Sequence, residues 1–423
     1  MEKIHRFYYG WVIVGVSFFT LFFSLGIQSS FGIFYIAILN EYGWGRGDTA
    51  GAFSLFMLMN ALFVMVTGTL IDRFGPRMLF PLGATLLAMG LAAASRINTI
   101  WHLYLFFGVI MAVGINTISF SPHMAVIPKW FVRGRGLANG LVVAGIGVGI
   151  MVMAPVIQFL IDTLGWRSAF LVLGGFVIGG VVPMTALLHR RSPQDVGQFP
   201  DGIVPDSGVT HTTGPHGSRK DTPTSHPSDQ WPLRAALCAA AFWWMGLVNF
   251  TVGFTTNMLV VHQAAHTVDA GYSASLAAFL VGLVGLLRSL GGVLCGFLSD
   301  RVGREIGYTL GAGSSIIGVT LFLLVRDTTS PWMLSIFVIL FGLGHGSVGP
   351  IHAATTGDLF PGNSLGRIMG TIWMGWALGG AVGSYLGGYL YDQMGSYTFP
   401  FLLVLINIGL GVLGIWMAGP RNR

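Results

Sequence analysis

Charge is what this sequence has least of. Asp, Glu, Lys and Arg make up 9% of its 423 residues, against about a quarter in soluble domains. With 53% hydrophobic residues, that scarcity excludes a soluble enzyme of this length and implies a polytopic chain whose solvent is the lipid bilayer. Cysteine is nearly missing as well. Cys238 and Cys295 both fall in apolar stretches, which excludes a disulfide framework and leaves them as packing residues. No small-residue cleavage site follows Lys3, Arg6 and the first apolar run, so an uncleaved first span is expected rather than a signal peptide. Nucleophile–base pairs are lacking, and the irregular spacing of His211, His216 and His226 does not suit a metal. Neither an enzyme nor a cofactor-bound protein is expected. The net charge of +6 suits basic cytoplasmic loops, not nucleic acid.

What is present is a series of twelve hydrophobic spans. Six cover about 9–38, 48–71, 78–95, 101–127, 136–161 and 167–188. Six more cover about 233–262, 272–299, 306–325, 332–357, 367–391 and 397–418. The expected organisation is a first six-helix bundle (1–188), a flexible loop rich in Pro, Gly, Ser and Thr (189–232), and a second bundle (233–423). With both termini placed in the cytoplasm, seventeen Lys and Arg residues lie on the inside and four, Arg46, Arg96, Arg167 and Arg326, on the outside. The positive-inside rule therefore sets that orientation.

One charge falls deep within a span. Arg288 stands twelve residues before Asp300, about 18 Å along a helix and near the middle of the hydrocarbon slab. A guanidinium there costs roughly 3 kcal/mol even on lenient insertion scales, so it should meet a partner or a wet cavity. Its planar fork fits a carboxylate.

The halves repeat. Gly68-Thr69-Leu70-Ile71-Asp72-Arg73-Phe74-Gly75 returns as Gly296-Phe297-Leu298-Ser299-Asp300-Arg301-Val302-Gly303, an offset of 228. Asp162-Thr163-Leu164-Gly165 returns as Asp392-Gln393-Met394-Gly395, an offset of 230. Both offsets map each span onto the one six later, the internal symmetry of an alternating-access carrier. The Gly-x-x-x-Asp-Arg-x-Gly loop resembles the motif of the major facilitator superfamily. That resemblance implies an all-α fold of twelve transmembrane helices in two pseudo-symmetric bundles. It also implies a cytoplasmic gate of Asp72, Arg73, Arg77, Asp300, Arg301 and Arg304.

Further stretches resemble the monocarboxylate transporter and oxalate/formate antiporter branch, including its bacterial members. They are Trp130-Phe131-Val132-Arg133-Gly134-Arg135-Gly136 leading into span five, Gly388-Tyr389-Leu390-Tyr391-Asp392 closing span eleven, and Ser192-Pro193-Gln194-Asp195-Val196-Gly197. The resemblance implies that Arg288 binds substrate carboxylate and that the protein sits, multi-pass, in a bacterial inner (plasma) membrane. The positions of the branch's acidic residue and first-span lysine hold Val284 and Ser29, and span eleven lacks a lysine. One cavity cation suits one carboxylate, since a second would be buried uncompensated. The expected function is thus proton-coupled symport of a small monocarboxylate such as lactate or pyruvate. The alternatives are an oxalate/formate-like exchanger and a non-transporting carboxylate sensor.

Polar groups within spans supply the other candidates, because each needs a partner or a wet cavity there. For substrate they are Asn116, Gln28, Ser29 and Asn249, with Trp373 as an apolar wall. For the proton they are His345, His352 and His123, since histidine titrates near neutrality. Gly375, Gly379, Gly383 and Gly387, and Gly136, Gly140 and Ala144, recur every fourth residue, a pattern for close helix contact or a sliding seam.

Overall fold

The computed structural model describes residues 8–131, 135–202, 231–361 and 364–419, less the side chains of Met65, Asp72, Ala125, Arg135 and Asp300. Its ordered elements are helices: α1 (Gly10–Tyr42), α2 (Arg46–Phe74), α3 (Pro76–Ala94), α4 (Ile100–Trp130), α5 (Arg135–Leu164) and α6 (Trp166–Leu188). After a short helix at Leu233–Cys238 come α7 (Ala240–Asp269), α8 (Ala274–Val302), α9 (Arg304–Leu324), α10 (Pro331–Leu359), α11 (Leu365–Met394) and α12 (Thr398–Ala418). Eleven helices among the described residues are long and apolar enough to cross a membrane. The twelfth expected span, α11, is 30 residues long, but its glycines and tyrosines dilute its hydropathy.

The turns explain the repeated motifs. Gly75 and Gly303 end the two Asp-Arg-x-Gly loops at φ 76° and 97°, and Gly165 and Gly395 end the two Asp-x-x-Gly repeats at 78° and 67°. Only glycine takes such angles without strain, so the chain reverses there at matching places in both halves.

Some elements depart from the sequence reading. The first span breaks at Ser30, whose hydroxyl donates to the Gly26 carbonyl at 2.8 Å, a back-bond that bends helices. The segment after α6 is not all loose loop. Pro193–Val196 and Pro200–Gly202 form short turns, and Asp195 closes a capping box with Ser192. This segment docks on the first half, where the Tyr9 amide donates to Gln198 at 3.0 Å and the Asp201 amide to Tyr8 at 3.1 Å. Cys238 is exposed rather than packed.

Glycines decide which helices meet backbone to backbone. In the run 145–149, Gly145 and Gly149 lie against the Phe18 and Phe22 carbonyls of α1, while Gly147 faces Ser289 of α8. On α11, Gly375, Gly379, Gly383 and Gly387 face α7, their own half, and Gly388 faces Arg46 of α2. The predicted ladder is therefore mainly static packing inside the second half. Gly140 meets nothing within 4 Å, so it takes no part in a close helix contact.

The halves touch along α2–α11, α5–α8 and α1–α7. On α2 the contacts run from Arg46 to Met57, where Ser54 donates to the Ala381 carbonyl at 2.7 Å and Met57 abuts Gly380. These lie on the face away from the termini, called distal below. From Leu58 to Val66 most α2 side chains are exposed or half-exposed. The molecule is closed distally and open on the proximal face, which carries the termini.

Candidate functional site

Arg288 lies where the closed seam gives way to the opening. Gly346 lets α10 press directly on the Arg288 carbonyl, and Gly342 packs on the Leu287 side chain. This fixes Arg288 at the level of His345. Thr256 on α7 holds His345 Nε2 at 2.7 Å, and Phe341 stacks on the imidazole at 4.9 Å between centroids. The next residue of α7, Asn257, abuts Gly380 of α11, the rung at which the distal seam ends. Arg288 itself is half-buried, and its guanidinium makes no hydrogen bond or ion pair to any described residue. A desolvated guanidinium without a partner is strongly unfavourable, so the arrangement favours an anion entering from the proximal opening.

The other candidates fall into three groups. Gln28 and Ser29 are half-buried beside the break in α1, and no described residue bonds their side chains. Tracing the contacts of α1 with α5 and of α5 with α8 places them about two turns distal to Arg288. Trp373 is 41% exposed on the proximal part of α11.

A second group is already engaged with other side chains. Asn249 and His352 bond each other, Nδ2 to Nε2 at 2.5 Å, about two turns proximal of the His345 level. Asn116 is buried, accepts from Thr67 at 2.7 Å and donates to the Asn60 carbonyl at 3.1 Å and side chain at 3.2 Å. Its amide ties α4 to α2 and does not point a free donor into the opening. Sequence reasoning missed Asn60, Thr67 and Thr256 because a polar residue in a span does not name its partner.

The third group lies elsewhere. His123 sits at the proximal end of the first half, 3.0 Å from Ser17 and with its ring 5.8 Å from that of His189, away from Arg288. Arg73, Arg77, Arg301 and Arg304, four of the expected gate residues, make contacts within their own halves. Arg73 lies over Phe74, Arg301 lies over Phe297, and Arg77 donates to the Ala186 carbonyl at 3.4 Å. Arg304 pairs with Asp358 at 3.2 Å and reaches Ser299 at 3.0 Å. The side chains of Asp72 and Asp300 lie outside the described residues. No group of three or more metal-ligating side chains occurs among the described residues.

The comparisons with known proteins join this geometry to a family. The family model of the Major Facilitator Superfamily matches residues 16–304 and 244–423, so the two matches together run through both halves. The chain belongs to the major facilitator superfamily. Monocarboxylate transporter 13 of Rattus norvegicus is 26% identical over 415 residues, covering 96% of this chain and 88% of that protein. Monocarboxylate transporter 12 of Homo sapiens is 25% identical over 409 residues, covering 93% and 77%. Monocarboxylate transporter 4 of Gallus gallus is 24% identical over 412 residues, covering 96% and 81%. Among solved structures, a bacterial homologue of the human lysosomal transporter Spinster, inward-facing and occupied, superposes with a TM-score of 0.68, covering 97% of each chain. Its unoccupied form gives 0.66. At 16% identity these structures establish the fold alone. This facilitator is a multi-pass membrane transporter similar to proteins named monocarboxylate transporters, and its relatives are carriers rather than enzymes.

Proposed function

We propose that this protein carries small monocarboxylates of the lactate or pyruvate type together with a proton, by alternating access, and that Arg288 binds the carboxylate. The observation that carries the reading is the unpaired Arg288 guanidinium at the inner end of the proximal opening. One fixed cation balances one carboxylate, which favours a monoacid over oxalate. The names of the relatives point to the same substrate class. Gln28 and Ser29, unbonded and about two turns distal of Arg288, would receive the substrate on its way to the distal side, and Trp373 would wall the approach.

The excess of basic residues on the proximal side supports cytoplasmic termini, and with that orientation the state described above is inward-open. The bundles 1–188 and 233–423 rock about the distal seam, joined by 189–232. In the opposite state Asp72, Arg73, Arg77, Asp300, Arg301 and Arg304 close the cytoplasmic side. His345, adjacent to Arg288, is the proton carrier we favour, because His352 lies about two turns away beside Asn249 and His123 is remote.

The test is uptake of radiolabelled L-lactate into proteoliposomes under an inward proton gradient. Gradient-driven uptake that is lost in Arg288→Ala supports the reading. Undiminished uptake by the mutant contradicts it. Transport that needs preloaded oxalate or formate would replace symport with exchange, and saturable binding without flux would make the protein a sensor.

A further inference from the structure

The repeated Asp-x-x-Gly motif does work at the distal face that carboxylate binding does not account for. Asp392, at the end of α11, crosses to the other half and accepts the first backbone amides of α2: Arg46 N–H at 2.9 Å and Gly47 N–H at 2.7 Å. A carboxylate on a helix N-terminus satisfies orphan donors and complements the helix dipole. Its repeat counterpart Asp162, at the end of α5, reaches the first turn of α8 through Ser275 at 3.4 Å. Gly47 and Ser275 are equivalent at the offset of 228. Each half thus extends a carboxylate to the start of a helix in the other, and the two grips are related by the molecule's pseudo-symmetry.

The symmetry then breaks at one residue. Arg46 corresponds to Ala274, and only the arginine adds a charge. Its guanidinium forms a two-pronged pair with Asp269 of α7, at 2.7 and 2.9 Å. It donates to the Tyr397 hydroxyl at 2.8 Å and lies 3.7 Å from the centre of the Tyr391 ring. Its carbonyl accepts from Tyr35 at 3.1 Å. Gly388 gives it room, since any side chain there would strike the Arg46 backbone. Its side chain is 19% exposed and that of Asp269 32%, so the pair is shielded enough to be worth more than an open surface ion pair.

We propose that Arg46, Asp269 and Asp392 form the distal latch of this transporter, an inter-half lock that stabilises the proximally open state and must break before the distal side can open. The inference rests on the alternating-access reading above but not on the identity of the substrate. Asp392 supplies the grip that both seams share, and Arg46 with Asp269 supplies the lock that only the α2–α11–α7 corner has. The same contacts explain why the distal seam is tight at α2 while α2 beyond Met57 is free.

The experiment measures the opening itself, without substrate. Cys238→Ser and Cys295→Ser remove the native thiols, and Asn98→Cys and Thr328→Cys, both exposed in distal loops of opposite halves, carry spin labels. Electron–electron distance distributions are recorded in nanodiscs. Asp269→Asn and Arg46→Ala should each add a longer-distance population, raising the open-to-closed ratio by roughly tenfold, the scale of one lost charged hydrogen-bonded pair. The charge-exchanged double mutant Arg46→Asp, Asp269→Arg should return toward the wild-type distribution. Unchanged distances in both single mutants would overturn the latch. So would a double mutant no more closed than the worse single mutant. Because no transport is read, failure here leaves Arg288 and the monocarboxylate reading untouched, and failure of lactate uptake leaves the latch standing.

Discussion

Replacing Gly383 by alanine tests whether α7 and α11 are held by backbone contact. A Cβ built on Gly383 lies 2.5 Å from the Phe254 carbonyl oxygen, 3.0 Å from its Cα and 3.1 Å from its carbonyl carbon. All three atoms are main chain, so no side chain can swing away. To restore the 3.0 Å that real Cβ atoms require, the helices must part by at least 0.5 Å along several turns. Gly379 and Gly375 pack the same way below it, so the separation cannot stay local. Such overpacking costs about 1–3 kcal/mol, which lowers the melting temperature on the order of 5 °C. Gly370→Ala is the control, on the same helix with nothing within 4 Å. It should be neutral or slightly stabilising, since alanine is the better helix former. The assay is thermal unfolding of purified protein in detergent. Equal melting temperatures for the two mutants would refute the claim that α11 packs through its glycines.

Two other outcomes are expected. Burial holds the His189 imidazole, just past the end of α6, down to about 3, so the folded state keeps it neutral while the unfolded chain takes up a proton below about 6.5. Stability is then fully present above about 6.5 and falls by up to about 1.4 kcal/mol per pH unit between there and about 3. His189→Leu should flatten the decline in melting temperature from pH 7 to pH 5, and an equal decline would exclude His189 as its source. Asn116→Leu should leave the Thr67 hydroxyl without its acceptor and the Asn60 side-chain oxygen without its donor, costing about 1–3 kcal/mol of stability with little change in KM. A raised KM at unchanged stability would return Asn116 to the substrate.

Much of the architecture was legible because lipid imposes simple rules. Span length and the repeated Asp-Arg-x-Gly turns are local features that the bilayer or a glycine at positive φ dictates. Arg288 was legible for the same reason: a lone charge at mid-membrane needs an explanation wherever the chain folds. What pairs with what was not legible. Arg46 reads in sequence as one of four basic residues on the sparsely charged side, and its partner Asp269 is 223 positions away. Asn116 reads as a free amide until Asn60 and Thr67 are seen beside it. Every-fourth-residue glycines announce close packing but not the partner, so a ladder facing α7 reads the same as one facing the other half.

The central claim is that Arg288 holds a carboxylate, and equilibrium binding measures it most directly. Radiolabelled L-lactate binding to purified protein in detergent, by scintillation proximity, would compare wild type with Arg288→Lys and Arg288→Ala. The geometry predicts saturable binding by wild type, weaker binding by the lysine variant, whose point charge cannot grip both oxygens, and none by the alanine variant. Wild-type binding matched by Arg288→Ala would contradict it.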